Sequence, residues 1–267
     1  MFMDGFYIGN IVGSSYSHQF ETLNEQTKDF ELFTDRSGYS DDTILTFATI
    51  DWLLHTNRSS KSMISVLKDY YKKYPDTEPT LYGKDYVNWI TSDSNDFNKS
   101  LSNSGAMRAS VIGWFANSLE EIKDLVDKGI SPTHNTLEAK LGAEVVAICV
   151  FMMKNNRSKE ELKNYIDYTY DYYLDQRLAL LRNSYEFTND TKETVRPAII
   201  AFLESTSFED ALRNAVSLGG DCDTIANITC SIAEAYYKDI PDSIVNKAQS
   251  YLPNEFVELL NELKNAD

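Results

Sequence analysis

Four aspartates in two short segments carry most of the chemistry available to this chain. Ser40-Asp41-Asp42-Thr43 lies near the start, and Gly219-Gly220-Asp221-Cys222-Asp223-Thr224 lies near the end. Each segment precedes a helical apolar stretch, so each sets two carboxylates and a hydroxyl at a helix N-terminus. If the two turns meet, four carboxylates converge, and their mutual repulsion calls for cations. Carboxylate and hydroxyl oxygens are hard donors that suit Mg²⁺, Mn²⁺ or Ca²⁺. Zinc fits poorly, because His18, His55 and His134 have no Cys or His partner at ligand spacing. An acidic helix cap is a common structural device, so either segment alone says little. The pair, one of them behind Gly-Gly, points to a site for one or two divalent ions.

Two further segments could bind a ligand. Ser102-Asn103-Ser104-Gly105-Ala106-Met107-Arg108 precedes an apolar helix at Val111 to Ala116, and small residues with free N–H groups at a helix start can cradle phosphate. An ordinary loop and cap would look the same. Thr133-His134-Asn135 stands at the start of a long apolar helix, where a lone histidine is read either as a structural hydrogen-bonding group or as a catalytic base. No Ser/His/Asp or Cys/His nucleophile set is present. Cys222 lies between two aspartates that disfavour its thiolate. The clustered tyrosines, Tyr165 to Tyr173, read as core and amphipathic faces.

The elements that must position these groups are helical. Helices are expected at Thr43 to His55, Lys61 to Tyr74, Asn135 to Lys154, Thr194 to Ser205, Phe208 to Leu218 and Thr224 to Tyr237. Ser118-Leu119-Glu120-Glu121 and Ser158-Lys159-Glu160-Glu161 read as capping boxes, the first helix being stopped by Gly129. Two short helices follow Pro241 and Pro253, and Pro75 to Gly105 is the least regular stretch. Alternating strand patterns, repeats and long linkers are missing from the sequence, which predicts one all-α domain over residues 1–267.

A net charge of −16 on 267 residues argues against a nucleic-acid backbone or an anionic membrane as docking surface. It would also repel an anionic substrate unless bound cations reverse the field locally. The longest apolar run, Leu141 to Met153, contains Glu144 and is too short to span a bilayer. Met1 to Gly13 lacks a basic segment, and the three cysteines form no framework; a cytoplasmic location is expected.

With these segments in hand, the chain resembles the ADP-ribosylglycohydrolase family, which includes ADP-ribosyl-arginine hydrolases and the hydrolase that reactivates dinitrogenase reductase. The likeness runs through Gly9-Asn10-Ile11-Val12-Gly13-Ser14, Lys28 to Phe33, Ser40 to Thr43, Tyr74-Pro75, Ser102 to Ser110, Thr133-His134-Asn135, Ala201 to Ser205 and Ser217 to Ala226. It implies an all-α orthogonal multi-helix bundle with a cleft for two Mg²⁺, Mn²⁺ being the alternative ion. The implied ligands are Ser40, Asp41, Asp42, Asp221, Asp223 and Thr224. The implied catalytic carboxylates are Asp41, Asp42, Asp223 and a glutamate assigned to Glu21, seven residues before Lys28. Asn103, Ser104, Gly105, Met107, His134, Gly219 and Gly220 are the implied substrate contacts.

The implied activity is hydrolysis of the bond between ADP-ribose and an acceptor, which could be a protein side chain, a small molecule or a nucleobase. For oligomeric state, a monomer is the default expectation. Two positions and two segments depart from the family pattern. Asn10 stands where Asp is usual, Ser40 where Thr is usual, and Thr136-Leu137-Glu138-Ala139 where His-Pro-Glu-Gly is common; Thr191 to Val195 also lacks the usual Gln-Gly-Ser-like sequence. Competing readings are a catalytically weak or silent ADP-ribose-binding or crystallin-like member of the fold, and a metal-dependent phosphohydrolase.

Overall fold

A computed structural model describes residues 3–17, 27–76, 81–94 and 96–265. Among them the chain forms fifteen helices: α1 Gly5–Gly13, α2 Asp41–His55, α3 Ser60–Lys73, α4 Lys84–Ile90, α5 Ser104–Met107, α6 Ser110–Phe115, α7 Leu119–Gly129, α8 Leu137–Lys154, α9 Lys159–Tyr170, α10 Leu178–Arg182, α11 Thr191–Leu203, α12 Phe208–Val216, α13 Cys222–Tyr237, α14 Asp242–Gln249 and α15 Asn254–Asn265. The only extended pairings among the described residues are two isolated bridges, Lys99 with His134 and Ser102 with Asp190. The expected all-α class holds. One continuous apolar cluster runs from Met3 to Leu263.

Helix α13 is the axis of the bundle. It is buried from Cys222 to Ala235 apart from Asp223, and α1, α8, α11 and α12 pack around it. Helix α1 was not expected, since three glycines in nine residues argue against a helix. Gly5, Gly9 and Gly13 recur every fourth residue and form one stripe. A Cβ at Gly9 would lie 2.1 Å from the Ala226 carbonyl oxygen, and one at Gly13 would lie 2.4 Å from the Asp223 Cα. Glycine is used here because two helix backbones touch.

Most other boundaries follow local rules. Ser59, Ser118, Thr136, Ser158, Asp190 and Ser207 each accept an N–H of their own helix. The box at Ser158 is reciprocal; at Ser118 it is not, because Glu121 accepts the N–H of Asn117 instead. Helix α8 begins at Leu137, so His134 lies in the preceding turn rather than on the helix. The irregular stretch from Pro75 to Gly105 holds α4, anchored by buried Trp89 and Ile90.

Candidate metal and ligand site

Helices α2, α5 and α13 are treated differently from the capped helices. The side chains of their N-cap residues Ser40, Asn103 and Asp221 make no capping bond to their own helix. All three side chains turn instead into one cavity of about 370 Å³, which Asp41, Asp42 and Asp223 also line. Thr224 and Met107 are part of the same wall.

The two acidic segments meet. The Thr224 hydroxyl donates to both Asp42 carboxylate oxygens, at 3.2 Å each, across 182 positions of sequence. From the third segment, Asn103 Nδ2 donates to Asp221 Oδ2 at 2.5 Å and to Thr194 Oγ1 at 3.0 Å. Asn10, fully buried on α1, makes four bonds. Its amide nitrogen donates to Ser40 Oγ (2.8 Å) and Asp42 Oδ2 (2.9 Å), and its carbonyl accepts from Ser40 N (2.9 Å) and Thr43 Oγ1 (2.7 Å). An aspartate here could not donate to Asp42. The amide therefore orients a carboxylate without adding a fifth negative charge.

Gly219 and Gly220 adopt φ of +71° and +64°, which bends the chain into the first turn of α13. They shape the turn and do not line the cavity. The ring of Tyr185 sits where a Gly220 Cβ would project. Its hydroxyl donates to Glu193 O, the carbonyl that Pro197 within α11 leaves without its helical partner. The break that proline makes in α11 thus anchors a prop for the aspartate turn.

Burial, and then the neighbouring carboxylates, push these acids upward. Asp41 is raised to about 7 by burial and by Asp221. Asp42 is raised well above the usual range by burial, Asp223 and Asp41, and Asp223 by burial, Asp221 and Asp41. Asp223 Oδ1 is buried with no hydrogen-bond partner. Converging, destabilised carboxylates, one oxygen of which is orphaned, form a donor set that fits hard divalent cations. Among the described residues no three acidic, imidazole or thiol groups are yet closed into an ion cage. Thr224, Asn103 and Asn10 occupy the carboxylate lone pairs in this arrangement.

A second cavity of about 170 Å³ adjoins the first, sharing Asp41, Ser102 and Ser104, and brings in His134 and Thr133. The His134 ring contacts Ser102 and Ser104 through Nε2, at 3.1 Å each, and Thr133 through Nδ1 at 2.7 Å. Gly105 does not line either cavity, but a Cβ there would lie 2.9 Å from the His134 ring, so glycine admits the imidazole. Glu21 lies outside the described residues. A cavity of about 860 Å³ against Leu119, Phe151 and Tyr165 has one carboxylate in its lining, Glu161, and brings no acidic cluster together.

His134 is neutral, its pKa pushed down to about 3 by burial and by the Arg108 charge. Its folded value lies below the ordinary 6.5, so folding favours the uncharged ring. That stability is complete above pH 6.5 and is lost as pH falls toward 3. Urea unfolding of His134→Gln against the parent should therefore show a difference that shrinks by about 2 kcal/mol between roughly pH 7 and pH 5. A pH-independent difference would refute the buried neutral ring.

With this geometry in place, comparison with known proteins decides the relationship. Residues 3–267 match the ADP-ribosylglycohydrolase family. The chain belongs to that family. It is therefore a hydrolase of glycosyl bonds, and its family acts on ADP-ribose linkages and is divalent-metal dependent in general. A solved "ADP-ribosylglycohydrolase-related protein complex" superposes with a TM-score of 0.63 at 21% identity, over 96% of this chain and 93% of that one, which establishes the shared fold. No curated protein matches. Among the described residues no helix is long and apolar enough to cross a membrane.

Proposed function

We propose that the protein is a Mg²⁺-dependent ADP-ribosyl glycohydrolase that releases ADP-ribose from a modified acceptor. The observation that carries this reading is the convergence of Asp41, Asp42, Asp221 and Asp223 on one cavity, with Asp223 Oδ1 unpartnered, in a chain of this family. Ser40, Asp41, Asp42, Asp221, Asp223 and Thr224 would hold two Mg²⁺, with Mn²⁺ as substitute. When bound, the ions supply charge neutralisation and polarisation of water and ribose oxygens.

The chain's own groups do the positioning. Asn10 holds Asp42 and Ser40, Asn103 holds Asp221, and the Gly219-Gly220 bend sets Asp221 against the cavity. Ser104, Met107 and His134 line the two joined cavities as contacts for the nucleotide and diphosphate. Water adds to the anomeric carbon, the glycosidic bond breaks, and the acceptor leaves with a proton. Glu21 is carried with Asp41, Asp42 and Asp223 in the catalytic set. The acceptor is a protein side chain, a small molecule or a nucleobase; the working form is a monomer and the location cytoplasmic.

The deciding experiment is a panel of arginine-, serine- and nucleic-acid-linked ADP-ribose, incubated with Mg²⁺ and with chelator. At least one substrate should turn over only with metal. Mg²⁺ and ADP-ribose together should raise the melting temperature, since a native-state ligand at a hundred times its Kd contributes about 2.7 kcal/mol. Neither turnover nor stabilisation would sink the hydrolase reading, whereas stabilisation without turnover would favour a binding protein.

The Asn10 geometry adds a second expectation. Asn10→Asp replaces a donor 2.9 Å from Asp42 by a like charge, and should destabilise the metal-free protein by about 1–3 kcal/mol. Saturating Mg²⁺ should recover most of that loss. Thermal melts with chelator and with Mg²⁺ check it; an unchanged metal-free melting temperature would contradict the donor role of Asn10.

A further inference from the structure

Arg108 is the largest buried charge outside the carboxylate cluster. Only 1% of its surface is exposed, and its hydrogen-bond acceptors are neutral: Thr49 Oγ1 (3.3 Å), Gly129 O (3.0 Å) and Thr133 Oγ1 (2.7 Å). A buried guanidinium without a hydrogen-bonded carboxylate is costly to keep. Its position suggests what it is kept for. Thr133 Oγ1 touches His134 Nδ1 at 2.7 Å, and His134 Nε2 touches the hydroxyls of Ser102 and Ser104. Ser102 in turn bonds to Ser104 at 2.8 Å and to Ser100 at 3.0 Å. Arg108 thus stands at the inner end of a hydrogen-bonded chain whose outer end lines the 170 Å³ cavity.

The direction of that chain follows from donor counting. Arg108 can only donate, so one lone pair of Thr133 Oγ1 is filled from the cation side. The Thr133 proton then goes either to Ile130 O, at 3.2 Å, or to His134 Nδ1. Ile130 O already accepts the N–H groups of Thr133 and His134, so it needs no third donor. A hydroxyl polarised by guanidinium is a stronger donor, and the cation favours a ring whose lone pair, not its N–H, faces inward. The proton goes to Nδ1.

This choice decides what the cavity can bind. Ser100, Ser102 and Ser104 have three hydroxyl protons, and the two bonds among them use two. Were Nε2 an acceptor, the ring would take the third and the hydroxyl chain would offer an anion nothing. With Nε2 protonated, the ring donates into the chain and one hydroxyl proton is left over.

We propose that Arg108, acting through Thr133, is a positioning residue that holds His134 as the neutral Nε2–H tautomer, so that the Ser100–Ser102–Ser104 chain presents a free O–H donor to a phosphate oxygen in the cavity. The identity of the anion as the substrate's diphosphate rests on the proposed function; the tautomer does not. The low pKa of His134, to which the Arg108 charge contributes after burial, agrees with a ring that orients protons without taking one up.

Nitrogen-15 NMR of the labelled full-length protein reads the tautomer directly, with His134→Gln assigning the signals. The parent should show a protonated Nε2 and a bare Nδ1. Thr133→Val keeps the shape, removes the relay and leaves the other two Arg108 acceptors in place. It should shift the ring to a mixed or Nδ1–H state and weaken ADP-ribose binding by about ten- to a hundredfold, with the Mg²⁺-induced rise in melting temperature unchanged. Thr133→Ser should restore both. A parent ring protonated on Nδ1 overturns the inference, and needs no variant to fold. So does a Thr133→Val protein with parental ring signals and affinity. If ADP-ribose fails to bind the parent, the functional reading falls, and the ring signals alone decide this one.

Discussion

Asp223→Asn should abolish turnover and at the same time raise the melting temperature of the metal-free protein. The two effects have one cause. Asp223 is pushed well above the usual carboxylate range by burial and by Asp221 and Asp41, and its Oδ1 has no donor. Without metal, an ionised Asp223 is an unfavourable group, and a neutral amide of the same shape relieves repulsion. Relief of about 1–2 kcal/mol corresponds to a few degrees in a chain of this size. With metal, the same oxygen becomes a ligand, and its loss should lower kcat/KM by about 10³-fold or more, on the scale of several kcal/mol of transition-state stabilisation. Turnover with Mg²⁺ and melting with chelator are the two measurements. Retained turnover would remove Asp223 from the ligand set. A lower metal-free melting temperature would make it a structural carboxylate.

Gly9→Ala should destabilise the protein severely, against the usual rule. Replacing glycine by alanine inside a helix normally stabilises by about 1 kcal/mol. Here the added Cβ would sit 2.1 Å from a backbone oxygen of α13, which cannot swing aside as a side chain could. Separating α1 from α13 should cost about 3 kcal/mol or more, so the clash outweighs the propensity gain. Gly13→Ala presses on the Asp223 Cα at 2.4 Å and should also weaken Mg²⁺-dependent stabilisation. Gly83→Ala is the control, since nothing lies within 4 Å of that site and its φ is −60°. Urea unfolding of the three variants decides the matter. A Gly9→Ala protein as stable as Gly83→Ala would mean that the two helices do not touch.

Much of this architecture could be read from the chain because its causes are local. Ser59, Ser118, Ser158 and Ser207 cap their own helices, and the acidic segments open α2 and α13 as expected. What could not be read was set by distant partners. Helix α1 looks unhelical until α13 is laid against its glycine stripe. Helix α11 was expected from Thr194 and begins at Thr191, and the sequence does not show that Tyr185 answers the Glu193 carbonyl left free by Pro197. Arg108 sits in the sequence as the last residue of a loop, with nothing to distinguish it from a surface cation. Its near-complete burial and its contact with Thr133 appear only when α2, α5 and α7 assemble.

The candidate site divides along the same line. The sequence alone determined that hard oxygen donors would gather at two helix N-termini, because side-chain type and helix start are fixed by a few neighbouring residues. It also determined, through the order of its motifs, the family. Only the tertiary structure decided how those oxygens are held: Asp42 by Thr224 and Asn10, Asp221 by Asn103, and Asp223 Oδ1 by nothing. These bonds span 32 to 182 positions, and a hydrogen bond between residues so far apart depends on where whole helices dock, not on the residues beside it.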